Sequence, residues 1–97
     1  MTLKEVLNDN PNIYTEVYEV NGNHGDKFHT DNIGELIYDT DGNGGAYLND
    51  ILDCEVIDSE VMDEDRYNQS VLANTGVYFK DIHQGEEEQQ ILVILVR

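Results

Sequence analysis

Ile91-Leu92-Val93-Ile94-Leu95-Val96 is the stretch on which the fold turns. It is uninterrupted by polar residues, rich in β-branched side chains and far shorter than the ~20 apolar residues of a membrane span. A strand with water on one face alternates apolar and polar, so a run apolar at every position predicts a central strand covered on both faces. The end of the chain therefore belongs to the core, and the rest must supply strands beside it and layers above and below it.

Working back from that strand, Glu86, Glu87 and Glu88 follow the turn-forming His83-Gln84-Gly85, and Thr75 to Ile82 reads as a further ordered element. Asp63-Glu64-Asp65-Arg66-Tyr67-Asn68-Gln69-Ser70 reads as an exposed connection, and Cys54 to Met62 as a strand. Ala46 to Leu52 is read as a strand or a short helix, with the strand preferred, leaving the glycine-rich reversal Asp39-Thr40-Asp41-Gly42-Asn43-Gly44-Gly45, whose glycines supply positive φ angles. Ile33 to Tyr38 is an apolar patch, and Asn21 to Asp26 is a loop. Ile13 to Val20 carries the β-branched and aromatic residues of a strand. At the start, Thr2 followed by Glu5 is a capping-box pattern, and Leu3, Val6 and Leu7 fall on one helical stripe, so a helix spans 2 to about 9. Asn10 before Pro11 is biased away from helix and ends it. The expected fold is α+β: one domain, 1–97, with an antiparallel sheet of four to six strands and a short N-terminal helix.

Charge bounds the function. Five Lys plus Arg stand against twenty-one Asp plus Glu, a net charge of −16. Such a chain lacks the cations that displace counterions from phosphates, which argues against direct binding to nucleic acid or to an anionic membrane. Its partner should be basic, or a cation. Hydrophobic residues still make up 39% of the chain and occur in organised runs, so it should fold despite self-repulsion that salt would relieve. Cys54 is the single cysteine and cannot form an internal disulfide, and the first residues begin no apolar signal core, so a cytoplasmic protein of the host cell is expected.

Three candidate sites compete with ordinary roles. Asp39, Asp41, Asn43, Gly44, Gly45 and Asp50 resemble a calcium loop of the EF-hand and dockerin type: oxygens at positions 1, 3, 5 and 12, glycine at 6 and a carbonyl at 7. Asp stands at position 12 where the family has a bidentate Glu, Ala46 at position 8 is small, and the loop is single. A glycine-rich turn with solvated acids is the preferred reading, and a calcium-binding module the alternative. His24 and His29, with Asp26 and Asp31, could gather a transition metal, but their spacing fits no known motif and solvated loop residues are favoured. Cys54 as a nucleophile, or Asp63 and Asp65 as an acid–base pair, lacks any accompanying motif; Cys54 reads as a small core residue and the protein as a non-enzyme with no required cofactor.

The acidic residues themselves are the remaining signal. Asp53, Glu55, Asp58, Glu60, Asp63, Glu64 and Asp65 occupy a stretch without a base, and Glu86, Glu87 and Glu88 form a second run. On a strand, Asp53 with Glu55 and Asp58 with Glu60 form two rows of opposite parity. A bulge around Val56-Ile57 would bring the rows to one face. Solubility alone needs a net charge of only about 2–8 in magnitude for a small domain. The surplus asks for another purpose.

In size, charge and these acidic segments the chain resembles the nucleic-acid-mimicking inhibitors carried by phages and mobile elements, the anti-CRISPR and anti-restriction proteins. That resemblance implies an inhibitor whose carboxylates occupy the basic surface of a Cas effector or restriction enzyme, with Tyr67 as an aromatic anchor beside them. It also implies that reversing Asp63, Glu64 and Asp65 to Lys slows association sharply and leaves the fold intact. A non-enzymatic interaction protein of a mobile element, binding through apolar surface, is the other alternative.

Overall fold

A computed structural model describes residues 1–21, 28, 32–80 and 89–97. The elements in order are α1 (Leu3–Asp9), β1 (Tyr14–Val20), β2 (Ile33–Asp39), α2 (Leu48–Ile51), β3 (Val56–Met62), α3 (Glu64–Tyr67), a π-helical turn (Asn68–Leu72), α4 (Ala73–Thr75) and β4 (Ile91–Val96). One sheet runs in the order β2-β1-β4-β3. β4 is central, as its composition requires. Ile91, Val93 and Leu95 enter one apolar cluster, while Leu92, Ile94 and Val96 enter the other.

The expected all-antiparallel pairing is corrected in one place. β2 and β3 lie antiparallel to their neighbours, but β1 and β4 pair in parallel, from Tyr14 opposite Ile91 to Glu19 opposite Val96. Parallel neighbours need a crossover, and the chain between them supplies it with β2, β3 and the helical run 64–75.

Each sheet face has its own cover. α1 and α2 bring Leu3, Val6 and Ile51 against Val17 and the even-numbered residues of β4. The capping box at α1 is formed as read: Thr2 N–H donates to Glu5 Oε1 at 3.0 Å and Glu5 N–H donates to Thr2 Oγ1 at 3.3 Å. The opposite face is covered by Tyr67 and Val71, which stand one helical turn apart and pack with Tyr18, Phe28, Met62 and the odd-numbered residues of β4.

Three further readings are corrected. Ala46 to Leu52 takes the short-helix alternative rather than the preferred strand: Leu48–Ile51 is a helical turn that buries Ile51 on α1's side. The segment 63–70 is not an exposed connection, because Asp63 caps a helix whose Tyr67 and Ser70 are buried. Thr75 ends that helical run, Gly76 follows with φ 75°, and residues 76–80 form no strand; 81 and 82 lie outside the described residues. Among the described residues no helix is long and apolar enough to cross a membrane.

The reversal after β2 is a tight turn. Gly44 has φ 93°, and a side chain there would press into the backbone of Ile37 and Tyr38. Gly44→Ala combines backbone strain with overpacking and should cost about 2–3 kcal/mol, against a few tenths for Gly45→Ala, which meets open space. Urea denaturation of the two variants checks the contrast.

Candidate functional site

The bulge that would unify the acidic rows is present. β3 pairs with β4 from Val56 opposite Val96 to Met62 opposite Ile91, with a register shift between Val56 and Asp58 that leaves Ile57 as the extra residue. Val56 and Cys54 pack on α1's side, so Glu55 between them is directed to the other side. Beyond the bulge, Asp58 and Glu60 stand opposite Leu95 and Val93, on the face that also carries Met62. Glu55, Asp58 and Glu60 thus form one row on the outermost strand. Asp53 is exposed in the turn before it.

α3 extends the row. Arg66 reaches back to Glu60, with Nε donating to Oε2 at 2.7 Å and a longer 3.4 Å contact from Nη2 to Oε1. The Glu60 hydrogen bond and the nearby Asp58 charge raise the Arg66 pKa further, so this guanidinium is a fixed internal counter-charge. Asp63 caps α3 by accepting from the Arg66 N–H at 2.9 Å, and Asp58 accepts from the N–H of Ser59 at 2.9 Å. Glu64 and Asp65, in the first turn of α3, are exposed. Among the described acids of this surface, Asp53, Glu55, Glu64 and Asp65 are exposed, whereas Asp58 and Glu60 are half-buried and would share a partner's cation with their internal bonds. Asp58, Glu60 and Asp63 already have work within the fold.

Two expectations for this surface change. Tyr67 is 0% exposed and cannot anchor a partner. Asp63 cannot be replaced without loosening α3, because the loss of an N-cap costs about 1 kcal/mol. Glu86, Glu87 and Glu88 lie outside the described residues, as do His24, Asp26, His29 and Asp31.

The calcium-like loop spends its oxygens on its own closure. Asp39 accepts from the N–H of Asn43 at 2.9 Å and from its amide nitrogen at 3.1 Å. Burial acts to raise the Asp39 pKa, but the hydrogen bonds from Asn43 lead the effects that outweigh it and hold the carboxyl below its ordinary range, while the Tyr14 hydroxyl donates to Asp41 Oδ2 at 3.2 Å. Asp41 turns instead to Lys80, which forms an ion pair with it and donates to Tyr14 Oη at 2.9 Å. These two hydrogen bonds raise the Lys80 pKa, while burial pushes the Tyr14 phenol up to about 12. Gly45 is exposed, and Asp50 lies in α2. Among the described residues no three His, Cys, Asp or Glu side chains are grouped to hold a metal ion.

One feature escaped the sequence reading. Glu16 is 2% exposed on the face covered by α3 and the π-turn. Tyr67 Oη donates to Glu16 Oε1 at 2.6 Å, and Tyr18 Oη donates to the same oxygen at 2.9 Å. With both hydroxyl hydrogens so used, the 3.3 Å approach of the two phenol oxygens adds little. Burial raises the Glu16 pKa against the opposing pull of the two phenols, and the neighbouring Asp39 charge raises it further. Burial beside this carboxylate pushes both phenols well above their ordinary range. The signal lay in the alternation Tyr14, Glu16, Tyr18, which puts an acid between two aromatics on one face of a strand. Comparison with family models, with curated proteins and with solved structures returns no match, so the functional reading rests on the geometry of this chain.

Proposed function

We propose that this protein is a non-enzymatic inhibitor that occupies the basic nucleic-acid-binding surface of a defence nuclease of the Cas-effector or restriction-enzyme kind. The observation that carries the reading is the bulge at Ile57. It converts two rows of opposite parity into one row of Glu55, Asp58 and Glu60, which α3 continues with Glu64 and Asp65. Residues two apart on a strand advance by about 6.8 Å, twice the ~3.4 Å rise per phosphate on one strand of a duplex. A carboxylate row on a hydrogen-bonded sheet can meet lysines and arginines spaced for phosphates without first being ordered, which lowers the cost of binding relative to a flexible acidic tail. The net charge of −16 adds long-range steering toward a basic surface.

The test leaves the internal partners intact. Glu55, Glu64 and Asp65 are changed together to Lys, sparing the Asp63 cap and the Glu60–Arg66 pair. Displacement of DNA from purified Cas effectors and restriction enzymes is then measured at about 50 and 300 mM salt, above and below a Debye length of ~10 Å. The unaltered protein should displace DNA from its target, and the variant should associate at least roughly tenfold more slowly with a shallower salt dependence. Equal, salt-independent binding by both would instead favour an apolar interaction protein, for which Met1, Tyr47, Val61 and Tyr78 are the exposed large hydrophobics among the described residues.

A further inference from the structure

Among the described residues β3 is the outermost strand on its side of the sheet, and its far edge already accepts extended chain at one end. Thr2 forms an antiparallel bridge with Glu55: Leu3 N–H donates to Cys54 O at 2.9 Å and Val56 N–H donates to Met1 O at 2.8 Å. Arg97 N–H donates to Glu55 O from the β4 side, so Glu55 faces the sheet and Val56 faces outward. Beyond the bulge, the N–H of Ser59 is taken by the Asp58 carboxylate at 2.9 Å. It therefore lies off the β4 ladder, and the period of two directs the backbone of Val61 outward as well. Among the described residues no strand pairs with this edge past Val56.

Resting on the proposed function, we infer that the basic partner contributes a strand to this edge, antiparallel or parallel to β3 and paired through Ser59 and Val61. The occupant is an extended segment alternating Lys or Arg with apolar residues. Its cations lie on the face of Asp58 and Glu60, and its apolar side chains on the face of Val61, which is 41% exposed. As it docks, the Asp58 carboxylate passes from the Ser59 N–H to an incoming cation, and the freed N–H joins the new ladder. The same acids oppose a second copy of the chain, because two β3 edges side by side would set like charges against one another.

The experiment uses the unaltered protein and short blocked peptides of alternating lysine and valine at about 50 mM salt, where charge steering is strong. Two further peptides carry backbone N-methyl groups on all lysines or on all valines, which leaves the charges in place but removes the donors of one edge. A fourth has glutamate in place of lysine. Binding of the first peptide should slow hydrogen exchange at the Ser59 and Val61 amides. One methylated peptide, and not the other, should bind roughly tenfold or more weakly, because only one set of donors meets β3. Equal affinity of both methylated peptides, unchanged exchange at Ser59 and Val61, or no binding of the lysine peptide overturns strand addition. Binding of the glutamate peptide as tightly as the lysine peptide would overturn the acidic-surface reading itself, so the two failures are distinct.

Discussion

Glu16→Ala should lower the unfolding free energy by about 3–5 kcal/mol, as much as truncating a large apolar core residue. The figure combines two costs. The vacated volume lies in a packed face among Tyr18, Tyr67 and Val93, and the hydroxyls of Tyr18 and Tyr67 lose the oxygen to which both donate. Each buried hydroxyl left without its acceptor costs about 1–3 kcal/mol. A domain of this size has a total stability of about 5–15 kcal/mol, so the variant should approach its unfolding midpoint in mild urea. Glu16→Gln keeps an acceptor for the two phenols and removes the charge, and it should cost far less at pH 7. Urea titration of both variants decides the matter. Similar losses would show that the charge itself holds Tyr67 in place, and no loss in Glu16→Ala would show that the carboxylate carries no structural burden.

Stability should rise, rather than fall, as the pH is lowered from 8 to about 5. The Glu16 carboxyl has a folded pKa above its ordinary 4.5, so the folded state binds that proton more tightly than the unfolded chain. Its contribution is complete below 4.5 and is lost as the pH rises through the higher folded value. Asp39 has the opposite sign: its pKa lies below the ordinary 3.8, so its contribution is present above that value and lost as the pH falls through the lower folded one. The excess negative charge, −16 at pH 7, diminishes over the same acid range and relieves self-repulsion. Thermal melts between pH 3 and pH 8 should therefore give a maximum in the mildly acidic region. Added salt should raise the midpoint at pH 8 more than at pH 5, where fewer charges remain to be screened. A midpoint that declines steadily from pH 8 downward would contradict the buried-acid argument, and Glu16→Gln should flatten the rise.

The sequence made the local features legible and the distant ones obscure. Thr2 with Glu5, the alternation of β1 and the apolar run of β4 each carry their physics within a few residues, and each forms as read. The bulge at Ile57 was legible as a condition: the acids on either side could share a face only if the alternation were reset, and the register shift resets it. The parallel pairing of β1 with β4 was hidden, because nothing in either strand specifies a partner from the other end of the chain. The helical run was concealed by its acids. Asp63, Glu64 and Asp65 look like a solvated linker, yet acids are favoured at a helix start, and Tyr67 and Val71 one turn apart were the apolar stripe that accompanied them. For the same reason Tyr67, read as an exposed anchor, proves to be the core's link to Glu16.

The side-by-side placement of β1 and β4 has a consequence for how the molecule comes into being. The two middle staves of the sheet lie far apart in sequence, so its central seam, from Tyr14 opposite Ile91 to Glu19 opposite Val96, is a long-range contact throughout. Closing so long a loop is entropically costly before any of the seam's reward is collected, and chains rich in such contacts fold slowly. On a ribosome the eight described elements before β4 would emerge and wait, their greasy faces uncovered, until that hydrophobic strand arrived to slot between β1 and β3.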